Sequence, residues 1–188
     1  MRTRREPGEN QVRTLSGTEV WEALAEVPDP EIPVVSVVDL GLVHAVELDG
    51  ERLRVELLPT FVGCPALELI RRSVAERLAG MAPQVEVEMT FAVPWTSDRI
   101  TDEGRRKLRE SGFAPPEKGS EPAFGRRPGD TGRQSRPLFS TIPVRPSTTC
   151  PYCGSADTSL ENLFGPTLCR TLFWCNRCRQ PFEQFKAI

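Results

Sequence analysis

Thiolates bind soft metal ions, attack electrophiles and pair oxidatively, and this sequence carries six cysteines among its 188 residues. Four of them form two short pairs, Cys150-Pro-Tyr-Cys153-Gly and Cys175-Asn-Arg-Cys178-Arg, separated by 21 residues. A two-residue gap lets one tight turn present two sulfurs to one ion, with backbone N–H groups offsetting their charge, and four thiolates complete a tetrahedral shell. Gly154 suits the turn after Cys153 because it has no Cβ to strain a left-handed backbone. The spacing predicts a structural zinc site at Cys150, Cys153, Cys175 and Cys178, since four thiolates leave no open position for water or substrate. The same ligand set holds iron in a rubredoxin-like centre. Independent redox thiols or core residues are the plainer reading of the same cysteines.

Two thiols remain. Cys169 lies six residues before Cys175, either a small buried hydrophobe or a spare ligand for a second metal. Cys64 stands in Pro59-Thr60-Phe61-Val62-Gly63-Cys64-Pro65, between a predicted strand and a predicted helix. Placed at the helix N-cap, its thiol would feel the positive end of the dipole and favour the thiolate. Thr60 could hydrogen-bond across that loop, and a buried Cys filling the junction is the plainer alternative. Asp29, Glu31 and Asp39 are carboxylates set in apolar sequence, suited to turn capping or to acid and base work. His44, the single histidine, sits in a predicted strand and has no ligand pattern around it. No G-x-G-x-x-G, Walker A, plant-type ferredoxin or paired Glu-x-x-His motif occurs, so catalysis by this chain alone has little support.

The elements that must position these residues read as follows. Residues 15–26 place Val20, Leu24 and Val27 at helical spacing, with Ser16 or Thr18 as cap and Pro28 as stop. Asp29-Pro30-Glu31-Ile32-Pro33 is a rigid loop, since two prolines remove donors and restrict φ. Val43–Leu48 and Leu53–Leu58 flank Asp49-Gly50, a strong hairpin signal. From Pro65 to Ala79, Leu67, Ile70, Val74 and Leu78 make one apolar stripe, Pro65 taking the first helical position. Val85, Val87, Met89 and Phe91 then alternate as a third strand, and Thr101–Ser111 forms a polar helix. This order predicts an α+β domain at 15–112, a small sheet with helices on one face. Leu160–Phe164 and Thr171–Trp174 have strand character, so residues 150–188 are expected to fold as a ribbon around their ion.

Composition separates the parts. Residues 113–149 contain 7 Pro and 4 Gly and read as a linker unable to bury enough surface to order itself. Residues 1–14 read as a disordered N-terminus. Net charge is +2 over residues 1–14, −11 over 15–103, +6 over 104–149 and +1 over 150–188. The acidic domain and near-neutral ribbon argue against nucleic acid as a partner, although the basic linker could meet phosphates. No apolar run reaches the roughly 20 residues of a bilayer span, and no apolar stretch follows the basic N-terminus as a secretory signal requires. A cytoplasmic protein without a membrane partner is expected, where thiols stay reduced.

Asp29-Pro30-Glu31-Ile32-Pro33, Val38-Asp39-Leu40-Gly41-Leu42-Val43, Thr60-x-x-x-Cys64-Pro65 and Pro94-Trp95-Thr96 resemble the motifs of the metal–sulfur cluster biosynthesis family. Members of that family assist iron–sulfur cluster assembly. With Cys150-Pro-Tyr-Cys153-Gly-Ser, Phe164-Gly-Pro-Thr-Leu-Cys169 and Pro181-Phe-Glu-Gln-Phe-Lys186, the chain is similar over residues 17–100 and 150–188 to accessory proteins of multicomponent phenylacetyl-CoA epoxidases of aerobic phenylacetate degradation. The resemblance implies a protein that is not itself an enzyme and that helps mature the iron–sulfur or di-iron centres of such a complex. Its partners would be the oxygenase and/or reductase subunits, with a homodimer left open. It implies Cys64 as the reactive thiol or transient cluster or iron ligand, and Asp29, Glu31, Asp39 and Thr60 as its support. A non-catalytic structural subunit of the same complex is the alternative. The tail reads Phe185-Lys186-Ala187-Ile188, with no thiol where the resemblance leads one to expect a terminal Cys beside Cys169.

Exposed Pro- and Gly-rich sequence with scattered Arg is open to protease. Limited trypsinolysis, read by mass spectrometry, is expected to cut first between Pro115 and Arg145; protection of that whole stretch would mean that it packs as structure.

Overall fold

The computed structural model describes residues 15–61, 63–119, 148–167 and 169–186. The N-terminus expected to be disordered and residues 120–147 of the expected linker lie outside the described residues, as do Val62, Leu168, Ala187 and Ile188.

Ser16 caps helix α1 (Gly17–Ala25) through a capping box, its hydroxyl accepting from the Glu19 N–H while the Glu19 carboxylate accepts from the Ser16 N–H. The hairpin forms as expected from strands β1 (Val43–Asp49) and β2 (Arg52–Leu57), antiparallel. Helix α2 (Leu67–Leu78) buries Ile70, Val74 and Leu78 and returns the chain to β3 (Gln84–Met89), parallel to β2. Leu53, Val55 and Leu57 turn one face of β2 into the core that they share with the apolar residues of α1 and α2. On the other face Arg52 meets Glu86 at 2.6 Å and Arg54 meets Glu88 and Glu56 at 3.0 Å, a ladder of exposed pairs that contributes little stability.

The structure departs from expectation at three points. Strand β3 ends at Met89, and Phe91 is 61% exposed rather than on the strand's apolar face. The regular turns of α2 start at Leu67, because the Cys64 carbonyl accepts from the Leu67 N–H and closes a tighter turn over Pro65-Ala66. Third, α3 (Asp102–Glu110) leads directly into β4 (Phe113–Ala114), which composition had placed in the linker.

That short strand pairs in parallel with β7 (Pro181–Phe185) at the edge of a second sheet, ordered β4-β7-β6-β5, where β5 is Thr158–Asn162 and β6 is Arg170–Cys175. Burial of the Arg105 guanidinium explains why residues 113–119 follow: it donates to the carbonyls of Ser97 at 2.6 Å, of Ile100 at 3.2 Å and of Pro116, tying this segment to the N-terminal domain. The ribbon's own apolar cluster is small, Phe173 and Phe182 stacked beside Ala114 and two of the paired cysteines. Phe185 and Cys169, by contrast, belong to the core of the N-terminal domain, where the Phe185 ring lies 5.8 Å from that of Trp95. Among the described residues no helix is long and apolar enough to cross a membrane.

Because Phe185 is 2% exposed in that shared core, Phe185→Ala should cost about 3–5 kcal/mol. Urea unfolding of the full chain, followed by circular dichroism, should show the loss across the α-helical part as well. A loss confined to the ribbon would mean that the two halves unfold independently.

Candidate functional site

The two Cys-x-x-Cys turns are near copies of one another. Gly154 N–H donates to the Cys150 carbonyl and Arg179 N–H to that of Cys175, each at 2.9 Å, and both donors sit at positive φ, +70° and +57°. Glycine takes that conformation freely, whereas Arg179 is the one non-glycine residue there among the described residues. The four sulfurs lie within 4.8 Å of one another, with Cys150–Cys178 at 3.7 Å and Cys153–Cys175 at 3.6 Å. Sulfurs bonded at ~2.3 Å around a tetrahedral ion stand about 3.8 Å apart, so the residues fit such an ion closely. Backbone N–H groups, that of Cys178 first, hold the Cys175 thiol down to about 7. This is a closed metal site of four sulfur donors.

A second constellation joins the two halves of the molecule. Asp29, Glu31, Thr60 and Cys64 from the N-terminal domain line a cavity of ≈ 20 Å³ together with Cys169 and Phe185 from the ribbon. About one water-sized sphere fits such a space. The buried Cys169 thiol lies 3.1 Å from the Thr167 hydroxyl and donates to the Glu31 carboxylate at 3.8 Å. Arg170, also buried, binds Glu183 at 2.8 Å and Thr167 Oγ1 at 2.9 Å, and reaches to within 3.8 Å of Glu31. Its guanidinium stands 5.5 Å from the Phe113 ring centroid. Arg170 and Phe185 escape sequence reasoning, because nothing in their local spacing reveals a contact with residues far earlier in the chain.

The carboxylates divide. Asp29 caps its loop, accepting from the N–H groups of Glu31 at 2.9 Å and Ile32 at 2.8 Å, and burial outweighs those bonds and pushes its pKa up. Glu31 faces Cys169. Asp39 does not reach this cavity: it accepts from Ser36 N–H at 2.9 Å and from Lys107 Nζ at 2.7 Å. Burial opposes its charge, but those bonds win and hold its carboxyl below the usual range. A Cβ on Gly104 would come within 2.5 Å of the Asp39 carbonyl, so Asp39 also sets the docking of α3. Its position is that of a structural turn residue.

Cys64 overturns the expected activation. Ala66 and Leu67 N–H groups do favour its thiolate, yet burial is the largest influence and raises the pKa, and Glu31 and Asp29 raise it further. Burial raises Cys169 as well, with Glu31 and Cys64 adding to the rise. The helix terminus is outweighed because the thiol sits inside a lined cavity beside carboxylates.

Residues 17–89 match the family described as iron-sulfur cluster assembly protein, and residues 134–186, beginning upstream of Cys150, match the PaaD zinc beta ribbon domain. The chain is 36% identical over 172 residues to the putative D-type subunit of 1,2-phenylacetyl-CoA epoxidase from Escherichia coli (strain K12), covering 90% of this chain and 92% of that one. The chain belongs to the PaaD family. Two solved structures are similar to part of it. One is a domain of unknown function from Bacillus anthracis, 27% identical over 48% of this chain and 89% of that one, TM-score 0.46. The other is a conserved hypothetical protein from Thermotoga maritima, 33% identical over 50% and 93%, TM-score 0.44. In this PaaD family member the four-sulfur site thus lies within the matched ribbon and Cys64 within the matched assembly domain.

A raised thiol is mostly protonated at neutral pH and reacts slowly. Iodoacetamide should therefore modify Cys64 more slowly than an unperturbed thiol at pH 7, with a rate still climbing beyond the ordinary thiol range. Mass-spectrometric labelling kinetics against pH check this; a rate that levels off near neutrality would restore the activated thiolate.

Proposed function

We propose that this chain is an accessory protein of a phenylacetyl-CoA epoxidase system that matures a metallocentre of the complex and does not itself catalyse epoxidation. The observation that carries this reading is the cavity of ≈ 20 Å³ that the assembly-domain thiol Cys64, the ribbon thiol Cys169 and Glu31 line together. A space of that size takes a water or an ion and excludes an acyl-CoA substrate. Its lining offers thiols and carboxylates, the donors that hold iron, and no histidine. The iron-sulfur assembly match covers Cys64, and the similarity to the Escherichia coli epoxidase protein extends over nearly the whole chain, which supports a role beside that enzyme.

In this reading zinc occupies the four-sulfur site and shapes the ribbon, and iron or a small iron–sulfur unit is cargo at Cys64. Asp29 shapes the loop that carries Glu31, and Thr60 lines the cavity beside Cys64. The oxygenase and reductase subunits, in the cytoplasm, are the clients. A structural subunit is the second reading, favoured by the relative's description as a subunit and by Phe91 and Phe164, 61% and 62% exposed and available to a partner. A maturation factor is absent or substoichiometric in the purified complex, whereas a structural subunit is present in whole-number ratio.

Co-producing the epoxidase subunits with Cys64→Ser is the direct test. The variant should fold and hold the ribbon's metal, yet leave the complex short of iron or of iron–sulfur absorbance. Full metal loading and full epoxidase activity would move the structural-subunit reading ahead.

A further inference from the structure

The Glu31 carboxylate lies in an unusual setting. One oxygen faces the S–H of buried Cys169 at 3.8 Å, a weak donor, across a cavity that Cys64 also lines. Its ion-pair partner among the described residues is Arg170, 3.8 Å away, whose short contact of 2.8 Å goes to Glu183 instead. Partly burying a carboxylate without a close counter-charge is costly, and an ion in the adjoining space would remove that cost.

We propose that Cys64, Cys169 and Glu31 form a second site, for one thiophilic divalent cation, and that this site exists only while the ribbon holds its own ion. The choice of ferrous iron as the natural cargo rests on the maturation reading; the ligand set does not. Two sulfurs and one carboxylate oxygen suit a borderline-soft ion of the iron–zinc class better than magnesium or calcium. Binding is balanced by the loss of one proton from each thiol. The resulting shell of two thiolates and one carboxylate carries one negative charge in excess of the ion, and Arg170 stands beside Glu31 to offset it.

The two metal sites differ in a way that matches their roles. Among the described residues, the four ribbon cysteines are the group whose donor atoms already lie within 4.8 Å of one another. The Cys64 set is not drawn together in this way, so its donor atoms must draw closer as an ion binds. A preformed cage holds its ion, and one that must be drawn closed binds more weakly and releases. The coupling between them runs along one strand. Cys175, a ribbon ligand, ends β6, and Arg170 begins it, directly after Cys169. Without the ribbon ion, whose binding supplies much of such a module's folding energy, β6 has no fixed end and Cys169 no fixed place.

The full chain with zinc on the ribbon, kept anaerobic, should be titrated with Co²⁺ as the probe while zinc retention is followed by metal analysis. The wild type should take one further cobalt per chain, with sulfur-to-cobalt charge-transfer absorption. Cys64→Ser and Cys169→Ser should each halve that absorption and weaken binding by roughly 10–100-fold or more, the range lost when even an outer-sphere partner is removed. Glu31→Gln should weaken binding comparably and keep the charge-transfer intensity. Cys153→Ser should lose the cobalt of the second site together with the zinc, while circular dichroism shows the helices retained. No cobalt bound by zinc-loaded wild type, or an unchanged titration in folded Cys169→Ser, overturns the ligand set; a cobalt at this second site retained in Cys153→Ser overturns the coupling. The maturation reading fails separately: a cobalt site with normal client loading by Cys64→Ser leaves the site standing and removes its role. A missing cobalt site with impaired client loading does the reverse.

Discussion

Four thiols held within 4.8 Å of one another make sense as a folded arrangement only around a cation, and the ribbon has little else to hold it. Its own apolar cluster is Phe173, Phe182, Ala114 and buried cysteines, too small a core to stabilise a module of that size without a metal. The strands of the ribbon then do more than close the site. Through β6 and β7 they place Cys169, Arg170 and Phe185 against the N-terminal domain, so the same strands join the four-cysteine end of the ribbon to the cavity.

The contact is built from both apolar and polar parts. Phe185 against Trp95 supplies burial, and the Trp95 indole N–H is in turn fixed by the Leu40 carbonyl at 2.9 Å. Arg170 supplies direction, since its guanidinium is shared among Glu183, Thr167 and Glu31 and lies over Phe113. A planar fork of donors can span a strand, a turn and another domain at once, which a point charge such as Lys could not. Gly41 completes the frame, at φ +64° with a Cβ position 2.3 Å from the Arg99 carbonyl, so no side chain fits there.

Three carboxylates that look alike in sequence have separate fates for electrostatic reasons. Asp39 has Lys107 and two contacts with Ser36, and keeps its charge. Asp29 has only backbone donors within a buried loop and is pushed toward its neutral form. Glu31 has a distant cation and a thiol. Only the last combination leaves a carboxylate with unused capacity beside two sulfurs.

The sequence by itself determined what depends on local spacing. A cap for α1 at Ser16 or Thr18, the hairpin around Asp49-Gly50, the apolar stripe of α2 and the four ribbon cysteines are all visible within a few residues or in one repeated motif. The motif resemblance likewise pointed to the family before any fold was known. Tertiary structure alone decided which of the candidates meet. Cys64 and Cys169 share a cavity because a strand pairing and one aromatic contact fold the ribbon back, and Asp39 is excluded because α3 and Lys107 claim it. The protonation of Cys64 was likewise beyond the sequence, since the helix-terminal N–H groups are local but the burial and carboxylates that outweigh them come from residues distant in the chain.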